Sequence, residues 1–415
     1  MRIILIIVIS LISFCNFAFS KEKLLPNTLL EIKVIENWKP VKNFQKFKEY
    51  SRKRPMPENK RFMERNDKEW KCFDRIKNVD PYPKDDNSHM IWFSCQNYLH
   101  FMGNKNPQII GDILLHWASA KKDPMIEKKT TKAIGYNVSG YDIPSTIGTF
   151  TQFYAVWYNE INFTEQERQL VNKYLVQKLL DQKFKVLNHG KRKCNIKKLK
   201  SIYSKNTGTN NCGNIRMKVA VGEIMLGFRL EDQELLDKGH KDIYVVQAFI
   251  NKDGININHA SRGANTVNYS WEYTGYSSIL AEVYRPVGYD YFEHTFPRGA
   301  KVKDYIKFNY KLLKDFKLTA EWAKRNVGSQ FDKYKNISKL TQAEYLQTEY
   351  AENVYSFEYG DKEFIKAHPR FTKKYMPDVY SSVSEEEIKN FYNHREGLIS
   401  ANKGVSSYAL YYGNN

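Results

Sequence analysis

Apolar residues along this chain recur three and four positions apart far more often than two apart, which predicts helices rather than strands. Leu170, Val171, Tyr174, Leu175 and Leu179 fall on one helical face behind Thr164, and Glu167 three residues after that threonine completes a capping box. Thr341 with Glu344 and Ser384 with Glu387 repeat the signature, the second ahead of Ile388, Phe391 and Tyr392 at helical spacing. The same periodicity predicts helices over Pro107–Ala120, Asp142–Trp157, Ile215–Phe228, Gln233–Phe249, Tyr269–Tyr284, Val302–Leu313 and Ala320–Val327. Sustained two-residue alternation is rare, so the expected fold is all-α. Helices paired along the chain suit an incomplete (α/α) toroid or barrel. There, antiparallel hairpins close around a funnel, with polar, aromatic-rich connections at its mouth.

No Gly/Ser or Pro-rich linker divides the chain, and a single domain over residues 21–415 is expected. Val41–Lys71 differs from the rest, being very basic with Pro55, Pro57 and few apolar residues. It is expected to be a surface loop, either a lid or an N-terminal wrap. Residues 1–20 combine Arg2, an apolar run from Ile3 to Leu11 and small residues at Ala18 and Ser20, the pattern of a cleavable export signal. The expected location is therefore periplasmic or secreted. Beyond the signal no segment reaches the roughly 20 apolar residues of a membrane span.

Export changes the reading of the cysteines. Four follow the signal: Cys72, Cys95, Cys194 and Cys212. In an oxidising compartment an even number suggests disulfides. Pairing neighbours in sequence gives Cys72–Cys95 and Cys194–Cys212, although four cysteines allow three patterns. There is no CxxC and no zinc-type spacing, so neither a metal nor a cofactor is expected. The charge narrows the partners. With 65 Lys+Arg against 46 Asp+Glu the net is +19, which favours polyanions. Export argues against nucleic acid and leaves an acidic polysaccharide or an anionic outer surface, and a monomer is expected.

The stretch Asn251–Tyr276 concentrates the candidate chemistry. It holds Asn256, Asn258, His259, Arg262, Asn265, Asn268, Tyr269, Trp271 and Tyr273. In a helix, Arg262 and Tyr269 would stand about two turns apart on one face. An arginine and a tyrosine so placed suit holding a carboxylate and moving a proton beside it.

Gly254, Arg262 and Tyr269 are spaced G-x7-R-x6-Y, a pattern that resembles the alginate lyases of polysaccharide lyase family five. Leu114-Leu115-His116-Trp117-Ala118 looks like that family's first toroid helix, and Asn210-Asn211-Cys212-Gly213 like its Asn-Asn-His segment. The likeness spans about Asn97 to Tyr289. It implies β-elimination of a 4-O-linked uronate polymer, and mannuronate, guluronate and glucuronate chains all fit. The C5 proton lies α to a carboxylate, whose negative charge must be neutralised before the proton leaves. Arginine and amide donors do that electrostatically, and a base and an acid then serve C5 and O4.

On this resemblance Tyr269 is the base and acid, Arg262 and Asn211 neutralise the carboxylate, and Cys212 stands where a histidine is implied. His259 is the residue available to compensate. A tyrosine's ordinary pKa of about 10 is high for a base, and a cation such as Arg262 would lower it. Tyr273, Asn265, Arg216 and Trp117 are the expected sugar contacts. Two other readings stay open. One is an acidic-polysaccharide-binding protein that has lost turnover, suggested by Cys212. The other is an inverting glycosidase, for which Asp253 and Glu272 are the acids in the window.

Overall fold

The structure, a computed structural model, describes residues 24–53, 71–79, 88–121, 143–180, 196, 213–256, 259, 266–324, 341, 343–344, 360–390 and 405–415. The described residues form α1 (Phe44–Lys53), α2 (Cys72–Asn78), α3 (Ser88–Lys105), α4 (Gln108–Ser119), α5 (Ile143–Trp157), α6 (Glu165–Leu180), α7 (Asn214–Leu230), α8 (Gln233–Gln247) and α9 (Thr266–Tyr284). After these come α10 (Val302–Lys314), α11 (Phe316–Lys324), α12 (Gly360–Ala367), α13 (Pro369–Tyr375), α14 (Pro377–Ser381), α15 (Glu385–Asn390) and α16 (Ser407–Gly413). Among the described residues the only β pairing is two isolated bridges, Ile250 with Asn256 and Thr295 with Lys301.

The helices form two rows. The inner row is α3, α5, α7 and α9, each packed on the next, and α4, α6 and α8 lie against one another outside it. Of the inner helices, α3, α5 and α7 each return through an outer one. Glu231, in the left-handed region at φ 57°, ends α7, and Asp232 starts α8 by accepting from the Leu235 amide at 3.0 Å. A two-residue turn leaves no choice but antiparallel neighbours. This double row of hairpins is an incomplete α/α toroid. Burial explains the rows: every residue of α7 from Asn214 to Phe228 is buried, as an inner helix requires, whereas α8 buries one stripe.

The inner helices begin at the same end. Trp92 Nε1, in the second turn of α3, donates to Thr146 Oγ1 near the start of α5 at 3.0 Å. Gly148 of α5 abuts the backbone of Lys218, early in α7, so closely that a Cβ would lie 2.8 Å from its carbonyl carbon. A Cβ on Gly222 would in turn meet the Gly148 oxygen at 2.8 Å. The two glycines let α5 and α7 touch backbone to backbone. Asn214, the first residue of α7, donates to Glu272 in the second turn of α9 at 3.0 Å. The chain therefore enters α3, α5, α7 and α9 at one mouth.

The termini tie the other elements down. Trp38 is 1% exposed, stacks on Phe228 at 5.6 Å and donates to the Val283 carbonyl at 3.1 Å. Burying such a ring is worth roughly 3 kcal/mol. Asn414 Nδ2 donates to the Pro40 carbonyl at 2.8 Å, which seats α16 beside α1. The loop expected over Val41–Lys71 is, in its first third, the helix α1 with Phe47 buried. Residues 54–70 lie outside the described residues, as does the proposed signal at 1–20.

The capping boxes form as expected. The Thr164 amide donates to Glu167 at 2.8 Å, Thr341 to Glu344 at 2.7 Å and Ser384 to Glu387 at 3.0 Å. Leu170, assigned to the apolar face of α6, is instead 39% exposed, because α6 packs on α4 and α8 through Val171, Leu175 and Leu179. Cys72 and Cys95 form a disulfide joining α2 to α3. Cys194 and Cys212 lie outside the described residues.

Candidate active site at the head of helix α9

The turn after α8 sets the approach to this site. Asn251 Oδ1 accepts from the Asp253 amide at 3.0 Å and the Ile255 amide at 2.8 Å, closing the chain into a tight loop. Gly254 occupies that loop at φ +80°, and a Cβ there would lie 3.2 Å from the backbone of Asp304 and Tyr305 in α10. Both facts call for glycine. The first member of the Gly–Arg–Tyr pattern thus has a backbone role, pressing the turn onto α10. Asn256 Oδ1 then accepts from the His259 amide at 3.2 Å, fixing the backbone where the imidazole leaves it.

His259 is 2% exposed and lies between two tyrosines of α9. Its ring centroid is 6.0 Å from that of Tyr269 at an interplanar angle of 31°, and 5.9 Å from that of Tyr273 at 67°. The tyrosines of α9 differ in access. Tyr273 and Tyr276 are 0% exposed, and burial holds both phenols well above their ordinary pKa, so they remain neutral. Tyr269 is half-buried and reaches solvent at the mouth. Of the three it is the one that a ligand could meet.

Beneath Tyr269 lies an ion pair absent from the sequence reading. Lys218, 2% exposed, sits 2.8 Å from Glu272, which also accepts from Asn214. Glu272 is three residues after Tyr269, so the pair fastens the second turn of α9 to the head of α7. The residue type gave a partial signal, since Glu272 follows Tyr269 at i+3, but its partner is 54 residues upstream on another helix. Engaged this way, Glu272 is not a free carboxylate for an inverting glycosidase.

The remaining expected residues are placed as follows. Arg262, Asn265 and Asn211 lie outside the described residues. Trp117 is 1% exposed, stacked on Phe150 at 5.8 Å, and donates from Nε1 to the Lys77 carbonyl at 2.8 Å, so its faces are used in the core. Tyr273 is likewise a core ring, set edge-on to Tyr305 at 5.2 Å. Arg216 pairs with Asp242 of α8. It turns outward because α7 packs on α8 on that side, and there it joins Lys238 and the fully buried Glu223, whose carboxyl burial pushes up to about 8. Trp117, Tyr273 and Arg216 do not offer surface to a sugar in this structure. Among the described residues no three His, Cys, Asp or Glu side chains are grouped to hold a metal ion, and no helix is long and apolar enough to cross a membrane.

No protein-family model matches the chain, and no curated protein matches it by sequence. Solved structures do match. The crystal structure of alginate lyase A1-III from Sphingomonas species A1 is 12% identical, with 95% of this chain and 99% of that chain covered, at a TM-score of 0.46. A histidine-to-alanine variant of alginate lyase A1-III complexed with tetrasaccharide is 15% identical over 80% of this chain and 79% of that one, at a TM-score of 0.45. Against the apo form of the same variant the chain spans only 63% of that protein's length, at 16% identity and a TM-score of 0.41. At these scores the likeness is one of backbone path, and no statement about activity rests on it.

Proposed function

We propose that this chain is an exported polysaccharide lyase that cleaves an acidic, 4-O-linked uronate polymer such as alginate by β-elimination. The observation that carries the reading is the contact of His259 with the half-exposed Tyr269 at the mouth of the inner helices, in a chain of net charge +19. A histidine and a tyrosine lie side by side at the mouth of the inner helices, and the Gly–Arg–Tyr spacing that resembles polysaccharide lyases ends on that tyrosine.

In this mechanism the uronate carboxylate is neutralised by Arg262 and Asn211, and Tyr269 takes the C5 proton. The electrons of the C5–H bond form the C4–C5 double bond as the C4–O4 bond breaks. The proton passes from the tyrosine to O4, and the new non-reducing end is an unsaturated uronate. His259, 2% exposed, stands in for the histidine that Cys212 replaces by acting on the Tyr269 phenol beside it rather than by touching the polymer. Tyr273 supports the site from the core, its ring set edge-on to His259 at 5.9 Å.

The test is mass analysis of the products from polymannuronate, polyguluronate and glucuronan. Elimination yields fragments lighter by one water than hydrolysis products, and the reading predicts them from at least one polymer. Hydrolytic fragments would replace it with a glycosidase. Tight binding of polymer without any fragment would replace it with a non-catalytic binding protein.

A further inference from the structure

A concave site lies at the end of α9 opposite Tyr269. From Tyr269 to Arg285 the helix and its extension run roughly 24 Å at 1.5 Å per residue. There a cavity of about 450 Å³ is bounded by Arg285, Arg370, Lys373 and Lys374 together with Tyr289 and Asp290. Four cations around one cavity need an explanation, and three of them have structural partners. Arg370 Nε and Nη2 grip both oxygens of Glu282 at 2.6 and 3.0 Å, and its guanidinium lies 5.6 Å from the Tyr411 ring centre. Arg285 approaches the same Glu282 at 3.7 Å, and Lys374 pairs with Asp290 at 2.6 Å.

Glu282 is 2% exposed and lies behind the lining residues, where it holds the arginines in place without meeting a ligand. Lys373 differs. Its ammonium lies 6.0 Å from the Tyr380 ring centre, and among the described residues no carboxylate pairs with it. Among the described residues, Asp290 is the only carboxylate side chain that lines the cavity, against four cations, so the lining keeps a positive excess. Fixed guanidinium groups, an ammonium without a carboxylate partner and the half-buried phenol ring of Tyr289 are the donor set for an anion carried on a small ring.

We propose that this cavity is an accessory binding site for a carboxylate-bearing sugar unit, separate from the site at Tyr269. Lys373 and Arg370 receive the carboxylate, and Tyr289 borders the ring. The choice of a uronate rests on the function proposed above, whereas the anion site rests on the cavity itself. A polymer held at both ends of α9 would stay attached between cleavage events.

The test is isothermal titration of the full chain at low ionic strength with glucuronate, glucose and inorganic phosphate. Glucuronate is expected to bind the wild type and Tyr269→Phe alike. Lys373→Glu, a surface change remote from the mouth, should weaken it by at least about tenfold, the scale of one charge-assisted contact. Glucose should not bind. Unchanged glucuronate affinity in Lys373→Glu, or no binding at all, would overturn the site. Phosphate binding without glucuronate binding would overturn the sugar assignment. Loss of glucuronate binding in Tyr269→Phe but not in Lys373→Glu would place the ligand at the mouth and overturn the proposal. None of these outcomes depends on whether elimination is observed.

Discussion

His294 provides a quantitative test of the packing around α9. It is 4% exposed and sits in a closed polar chain, with Tyr289 OH 2.8 Å from Nδ1 and Gln247 Oε1 3.2 Å from Nε2. Gln247 Nε2 in turn donates to Tyr291 OH at 2.9 Å. A neutral ring satisfies this chain with Nδ1 accepting and Nε2–H donating, a tautomer assigned from its partners. Burial pushes the His294 pKa down to about 4, against an ordinary value of about 6.5. The folded form therefore refuses a proton that the unfolded chain accepts. The stability this provides is complete above pH 6.5 and drains away as the pH falls towards 4. Linkage puts the loss between pH 7 and pH 5 at about 2 kcal/mol.

The perturbation is His294→Phe, which keeps a ring stacked on Tyr291 but cannot titrate. Losing the two hydrogen bonds lowers its stability by an amount that does not depend on pH. Urea unfolding of both proteins at pH 7 and pH 5 isolates the histidine. The wild type should lose about 2 kcal/mol more than the variant over that range. Equal losses would refute the buried neutral state of His294, and a smaller loss in the wild type would reverse its sign. If His294→Phe fails to fold, His294→Gln keeps a polar partner for the same comparison.

Two further predictions concern the candidate site. Lys218→Met strands Glu272 in a buried setting and should cost about 3 kcal/mol in thermal or urea unfolding, with much of the loss recovered in Lys218→Met/Glu272→Gln. A mild effect in the single variant would mean that the pair does not fasten α9 to α7. Gly254→Ala forces a side chain into φ +80° against the α10 backbone and should destabilise by about 1–2 kcal/mol. Because that turn positions His259, polymer turnover should fall even at temperatures where the variant remains folded; unchanged turnover would separate the turn from the site.

The helices were legible where they show one wet and one dry face. α4, α8 and α10 were predicted to within two residues at each end, and the capping boxes at Thr164, Thr341 and Ser384 were read from spacing alone. α3 was missed, because a helix that meets neighbours on most sides carries no stripe. α7 was also predicted to within two residues at each end, although all its faces are buried. Side-chain direction was the harder quantity. Tyr269 and Tyr273 lie one helical turn apart in sequence and look alike there. Tyr305 and His259, from two other segments, enclose one and leave the other half-exposed. Arg216 was expected at the mouth, but Asp242, 26 residues later on an outer helix, turns it the other way. Such choices depend on which helix lies opposite, and local periodicity does not encode that.

The central claim is that Tyr269 moves the proton in an elimination. The most direct measurement is ultraviolet absorbance during incubation of purified wild-type protein and Tyr269→Phe with polymannuronate, polyguluronate and glucuronan. The new C4–C5 double bond is conjugated to the carboxylate and absorbs where the intact polymer does not. The account predicts a rising signal for the wild type on at least one polymer, and a loss of at least about a hundredfold in Tyr269→Phe, the scale of one positioned acid–base group. A flat wild-type trace on all three polymers, or undiminished activity in Tyr269→Phe, would contradict it.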